Sequence, residues 1–269
     1  MANKRGRLNG NSVANEGKSI SSNGKSVRKT GPASNGAHAM RNTILLNLPR
    51  TEYDLIFPKL QFVDLPTQTV LNEMGAPIAF AWFVNGGLGS ILNVMSTGKS
   101  VEVGLSGHEG FVGIPLIAGL RTSPTRIVMQ VAGSGYKISA KELAGVLRKC
   151  PQLEKSLHQY SQELVLQATH VAACNRVHEV EQRLARWLLM SQDRLRGDIV
   201  PLTQQFLAHM LGTRRASVTI AAGILQDAGF ITYTRGRVKI KNRKRLEKAA
   251  CECYGIIIRQ SRQWRKEAR

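Results

Sequence analysis

The sequence predicts an α+β chain in three parts: an N-terminal β-barrel or sandwich, one long helix, and a C-terminal helix–turn–helix followed by a β-hairpin. Three observations predict it. Short β-prone runs punctuated by Gly and Pro fill residues 61–140. An apolar stripe at helical spacing begins after Pro151. Two short helical patterns separated by Gly212 then lead into an alternating segment around Arg235-Gly236-Arg237. The length of 269 residues suits one large domain or two ordinary ones.

Residues 1–40 are rich in Ser, Asn, Gly and Lys. They hold too few large apolar side chains to offset the entropy of ordering, so a disordered basic tail is expected. "NTILLNLPRTEYDLIFPKL" then reads as helical. The barrel follows within 41–150, with "VLNEM", "AFAWFV", "SILNVM", "VEVGL", "RIVMQV" and "GYKIS" as strands; glycines such as Gly86, Gly87 and Gly133 read as turns between them. Lys141–Leu147 reads as a short helix.

From 151 to 177, Leu153, Leu157, Tyr160, Leu164 and Val171 recur at steps of three or four, or their sum. Such a stripe either packs on the chain's own barrel or pairs with a second copy, and periodicity does not separate the two. "HEVEQRLARWLLMSQDRL" gives another amphipathic helix, with Val180, Leu184, Trp187 and Leu188 on one face. "GDI" reads as a turn. Residues 178–255 form the last folded unit, and 256–269 a basic C-terminal tail.

The formal net charge is +20, from 38 Lys and Arg against 18 Asp and Glu. That points to a polyanionic partner, nucleic acid ahead of an anionic membrane. No apolar run reaches the roughly 18 residues of a spanning helix, and the start lacks the apolar core of a secretion signal. A cytoplasmic protein without a membrane partner is therefore expected. Cys150, Cys174, Cys251 and Cys253 read as free thiols. Cys251-Glu-Cys253 lacks a second cysteine pair, so no metal site is expected.

The late segment is the most informative. Thr203 is a good N-cap for "QQFLAHML"; Gly212 turns the chain; Thr213 can cap the next helix, Arg214–Asp227; Gly229 ends it. With the hairpin this is a winged helix-turn-helix, whose second helix enters the DNA major groove by its first residues. A helix N-terminus is already positive, so Arg214 and Arg215 there repel it unless an anion arrives. Thr203, Thr213, Arg214, Arg215, Ser217, Val218 and Thr219 are the candidate contacts to double-stranded DNA, with Arg235, Arg237 and Lys239 reaching phosphate from the wing. Val218, Ala221, Ala222, Ile224 and Leu225 also supply apolar surface to seat the helix.

The order of parts resembles the Crp/Fnr family of bacterial transcription regulators. "WFVNGGL", "GFVG", "HEVEQRLARWLL" and "TQQFLAHMLGTRRASVTIAAGILQDAGFI" carry the resemblance, over roughly residues 42–255. It implies a cyclic-nucleotide-binding-like jelly roll as sensor domain, 151–177 as dimerisation helix, a homodimer on a near-palindromic site, and RNA polymerase as a partner. It places Arg215 on the family's guanine-reading arginine. Ala216 and Ile220 stand where glutamate and a second arginine are common, so a different half-site is expected. It also points to Gly113, Ile114, Thr125, Arg126 and Thr169 as effector-pocket positions. Ile114 replaces the family's glutamate after the glycine, and Thr125 rather than Arg126 falls on its arginine. Cyclic AMP is thus disfavoured, and another small-molecule effector, or none, is expected.

No cysteine precedes Cys150, which argues against the family's N-terminal iron–sulfur centre. His158, His170 and His178 lie beyond the barrel and give no haem signal. Walker, GxSxG and HExxH motifs are missing, so no enzyme is expected. The alternative is a cyclic-nucleotide- or other small-ligand-gated scaffold whose basic domain is not a specific DNA reader.

Overall fold

The computed structural model describes residues 39–195 and 197–267. Two short helices, α1 (Thr43–Leu46) and α2 (Arg50–Ile56), precede strands β1 (Gln61–Leu65), β2 (Val70–Asn72), β3 (Phe80–Val94), β4 (Ser100–Ser106), β5 (Phe111–Val112) and β6 (Arg126–Ser139). Then come α3 (Ala140–Leu147), α4 (Pro151–Val177), α5 (Val180–Leu195), β7 (Ile199–Val200), α6 (Gln204–Met210) and α7 (Arg215–Asp227). Strands β8 (Ile231–Thr234) and β9 (Arg237–Ile240) and helices α8 (Arg243–Ala249) and α9 (Glu252–Glu267) follow.

Six strands form one antiparallel sheet in the order β1-β6-β3-β4, with β2 also on β6 and β5 also on β3. β3 and β6 run unbroken through glycines that the sequence suggested were turns. Register shifts between Val84 and Leu88 bend the pair instead. The backbones approach so closely there that a Cβ on Gly133 would lie 1.9 Å from the Gly86 carbonyl oxygen. Only glycine fits such a crossing. The bend lets two long strands serve both ends of the barrel, pairing with β1 and β5 at one end and with β2 and β4 at the other.

Side chains then divide by face. Leu65, Val84, Ile91, Val112, Ile127 and Met129 share one apolar cluster. Phe83, Phe111, Tyr136 and Ile138 pack with α1, α3 and the start of α4. Leu88, Leu92, Leu105 and Val128 pack on α5 and the elements after it.

Most of the expected tail at 1–40 lies outside the described residues. Just beyond it, Asn85 Oδ1 accepts from the Arg41 and Asn42 amides at 2.6 and 3.2 Å, and Asn42 Nδ2 donates to the Val84 and Gly110 carbonyls. The opening of α1 is thereby tied to the barrel.

Helix α4 starts with Pro at its first position, which suits the locked φ. Its first-turn amides at Gln152 and Leu153 donate to the Glu52 carboxylate at 3.0 and 2.9 Å. Of the stripe expected at a dimer interface, Leu153, Leu157 and Tyr160 are buried in the chain's own core, and Leu164 packs beside them. This corrects the expectation: the barrel end needs an apolar cover, and α4 supplies it. Val171 is half-buried.

The C-terminal tail expected from residue 256 is helix as far as Glu267. Tyr254, Ile257 and Trp264 recur at helical spacing among the cations, and α9 lies along α4 with Arg265 bidentate on Glu163 at 2.9 and 2.7 Å. Ile199, read as part of a turn, instead forms β7 with Val200 and makes the wing sheet three-stranded, ordered β7-β9-β8.

Candidate nucleic-acid interface

The Thr203 hydroxyl accepts from the Phe206 amide at 3.2 Å and so starts α6. Gly212 at φ 59 reverses the chain, and the Thr213 amide closes the turn onto the Ala208 carbonyl at 3.0 Å. Thr213 does not cap α7, as the sequence suggested. The N-cap is Arg214, extended at φ −81, with no side-chain cap bond and no acidic residue in the first turn. α7 therefore begins with unmet amides and two guanidiniums, an arrangement that favours an arriving anion.

The faces of α7 follow its apolar spacing. Val218, named above among the DNA contacts, is fully buried with Ala221, Ala222 and Leu225; this is a correction, because position 218 opens the inward face. Arg214, Arg215, Ala216 and Thr219 are exposed, and Ser217 is half-buried. Ile220 and Ile224 are 66% and 50% exposed, so Ile224 does not seat the helix as expected. The Thr219 hydroxyl lies 3.0 Å from Gln204 Oε1 and from the Arg215 carbonyl, linking the two helices.

In the wing, Arg235 and Gly236 both have positive φ (46 and 74), forming the two-residue turn that suits strand twist. Arg237 and Lys239 are exposed while Val238 and Ile240 are buried. Register sets Thr234 against Arg237, and Thr232 and Ile199 against Lys239. With Arg235 and Lys241 these side chains bound a hollow of about 660 Å³ whose lining holds four cations and no carboxylate. Lys241 was not singled out from the sequence, although the alternation of β9 extends to it.

The unit is anchored to the barrel. Trp187 Nε1 donates to Glu102 Oε1 at 2.6 Å and His209 Nε2 lies 2.5 Å from Ser100 Oγ; within the unit, Arg183 of α5 donates to the Leu211 carbonyl after α6. Burial pushes the Glu102 carboxyl up to about 7, against the pull of hydrogen bonds from Ser90 and Trp187.

The effector-pocket positions separate. Gly113, Ile114 and Thr125 line a cavity of about 430 Å³ with Ile91, Phe111 and Ile127. Arg126 does not line it: adjacent strand residues face opposite ways, and Arg126 instead pairs with Glu73 at 3.4 Å. Thr169 is exposed and bonds the Val165 carbonyl one turn back. Among the lining residues none is charged, and the Asn72 Nδ2 is buried without a partner.

One grouping runs against the sequence expectation, which set Cys251 and Cys253 aside as a metal pair for want of partners. Cys174, His178, Cys251 and Cys253 converge at the far end of α4. A hydrogen bond from Cys251 draws the Cys174 thiol down and leaves that of Cys251 raised.

Residues 182–249 match the family model of the Crp-like helix-turn-helix domain. No curated protein matches the chain in sequence. Solved structures do match in fold. A transcriptional regulator of the Crp/Fnr family from Eubacterium rectale is 15% identical with a TM-score of 0.60, covering 77% of this chain and 96% of its own. A Crp/Fnr-family transcriptional regulator from Thermus thermophilus is 20% identical with a TM-score of 0.59, covering 71% and 98%. The c-di-GMP-responsive global regulator CLP of Xanthomonas campestris is 18% identical with a TM-score of 0.59, covering 71% and 99%. Among the described residues no helix is long and apolar enough to cross a membrane. Residues 182–249 are thus a Crp-like helix-turn-helix domain, joined to an N-terminal β-barrel in the fold of the Crp/Fnr regulators.

Proposed function

We propose that this chain regulates transcription by binding double-stranded DNA, sequence-specifically and as a homodimer. The carrying observation is the exposed Arg214–Arg215 pair at the uncapped start of α7, beside a wing whose outer face carries four cations and no carboxylate. In this reading the first turn of α7 enters the major groove, Arg215 reads guanine, and Arg235, Arg237, Lys239 and Lys241 meet phosphate. Exposed Ala216 and Ile220 offer apolar contact to thymine methyl groups in place of charged readout. Residues 41–150 act as sensor domain, 151–177 as dimerisation helix and 178–255 as DNA-binding domain.

A second copy needs an α4 surface that the barrel leaves open. His158, Gln162, Val165, Thr169, Ala172 and Arg176 are all exposed at alternating steps of four and three. That is the spacing of a paired-helix seam. The dimer thus uses the face opposite Leu153 and Leu157.

The uncharged cavity disfavours cyclic AMP, whose phosphate needs a cation. Asn72 supports a neutral, largely apolar effector carrying a hydrogen-bond acceptor. RNA polymerase is the proposed protein partner on DNA.

Selection from random duplexes tests the reading. It expects a two-fold symmetric site with half-sites about one helical turn apart, bound with a steep loss of affinity as salt rises. Enrichment of no sequence, or of an unpaired half-site alone, contradicts it.

A further inference from the structure

Three thiols and an imidazole meet where the long helix joins the C-terminal domain. Cys174 sits in the last turn of α4, His178 directly follows that helix, and Cys251 and Cys253 flank Glu252 at the start of α9. One ligand atom from each lies within 4.8 Å of all the others. Cys174 Sγ and Cys251 Sγ are 3.4 Å apart, and Cys253 Sγ is 3.9 Å from His178 Nδ1. A tetrahedral zinc site with arms of about 2.3 Å has edges of about 3.8 Å, close to these spacings. A multi-iron cluster holds its thiolates farther apart, and a disulfide needs about 2.05 Å between sulfurs.

We infer that Cys174, His178, Cys251 and Cys253 form a structural zinc site that fastens the end of α4 to the start of α9. Two independent features of the surroundings support it. His178 Nε2 lies 2.9 Å from Glu252 Oε2. Donation from that nitrogen to the carboxylate fixes the ring with Nδ1 toward the thiols, the arrangement that orients metal-binding histidines. Two buried guanidiniums also stand beside the group. Arg186 Nη1 lies 3.3 Å from Met190 Sδ, and both Arg183 and Arg186 leave a buried Nε without a partner. Neither forms an ion pair among the described residues. Buried cations need a nearby anion. Zinc with three thiolates and a neutral imidazole carries one net negative charge and supplies it.

The binding step changes no oxidation state. Zn²⁺ accepts electron pairs from three sulfurs and Nδ1, and each thiol still protonated releases its proton to solvent. Soft thiolate ligands and the absence of an open fourth position favour structural zinc over magnesium or calcium. The two contributing segments are 72 residues apart, so neither resembles a finger motif alone.

Metal analysis of the full chain, purified without chelator, tests this directly. About one zinc per chain is expected. The Cys251→Ser/Cys253→Ser double variant and His178→Ala should each retain less than about a tenth of that after dialysis, while Cys150→Ser, in the barrel-end core, keeps it all. Cobalt titration of the metal-stripped wild-type chain guards against variants that misfold. Visible absorption of tetrahedral cobalt thiolate should saturate at one equivalent and disappear when zinc is added. A chain that takes up neither metal overturns the proposal. So does a Cys174–Cys251 disulfide in the freshly purified protein, or iron with sulfide in place of zinc. None of these readouts involves DNA, so failure here leaves the DNA-binding reading separately testable.

Discussion

Trp187 of α5 donates its indole N–H to Glu102 of β4 across 2.6 Å, joining the C-terminal domain to the barrel through a buried carboxyl. Ser90 donates to the other oxygen of the same group at 2.5 Å. Burial raises this carboxyl from 4.5 to about 7, so between those values the folded chain holds a proton that the unfolded chain releases. Stability is therefore greatest at the acidic end of that window, falls as pH rises through it, and levels off above about 7. The loss attributable to Glu102 is on the order of 3 kcal/mol. Glu102→Gln keeps an acceptor for Trp187 and cannot ionise. Denaturant unfolding at pH 5 and 8 should show the variant close to wild type at pH 5 and more stable at pH 8. An unchanged pH slope counts against the assignment.

Arg215→Ala and Lys239→Ala should separate base reading from phosphate attraction. The first lowers affinity for the selected site by roughly 1–3 kcal/mol and relaxes preference at one base pair. The second weakens matched and scrambled duplexes alike and reduces the salt slope by about 1. Fluorescence anisotropy on both duplexes reads the difference. Equal losses on both for Arg215→Ala exclude direct readout.

Val165 is 57% exposed on α4, whereas Leu157 of the same helix is fully buried. Val165→Glu should yield a folded monomer by analytical ultracentrifugation, because the new charges oppose each other across the proposed seam. Leu157→Glu should unfold the chain, since it places a charge in the core. A Val165→Glu dimer as tight as wild type places the interface elsewhere.

Glu52 accepts both free amides at the start of α4. Glu52→Ala should cost about 1–2 kcal/mol, within the range of a lost helix cap. Calorimetry at neutral pH measures it, with Glu52→Gln expected between the two.

Much of this architecture is legible in the sequence. The bounds of α4 are those expected, and Thr203, Gly212, Gly229 and Arg235-Gly236 mark the helix–turn–helix and hairpin because each turn requires a particular cap or φ. Periodicity established that Leu153 and Leu157 face something apolar, but not whether it belonged to this chain or to a copy. Gly86 and Gly133 read as turns because a close strand crossing and a chain reversal demand the same residue. Arginines and lysines masked the apolar spacing of Tyr254, Ile257 and Trp264. The thiol–imidazole group was invisible because 72 residues separate His178 from Cys251, and only the fold brings them together.

Helix α9 springs from beside the reading domain and ends with Arg265 clasped by Glu163 on the long helix. It works as a strut, bracing one module against the other along the chain's last turns. Residues 252–267 thus hold α5 and α4 together, and Arg265→Ala would release one end of that link.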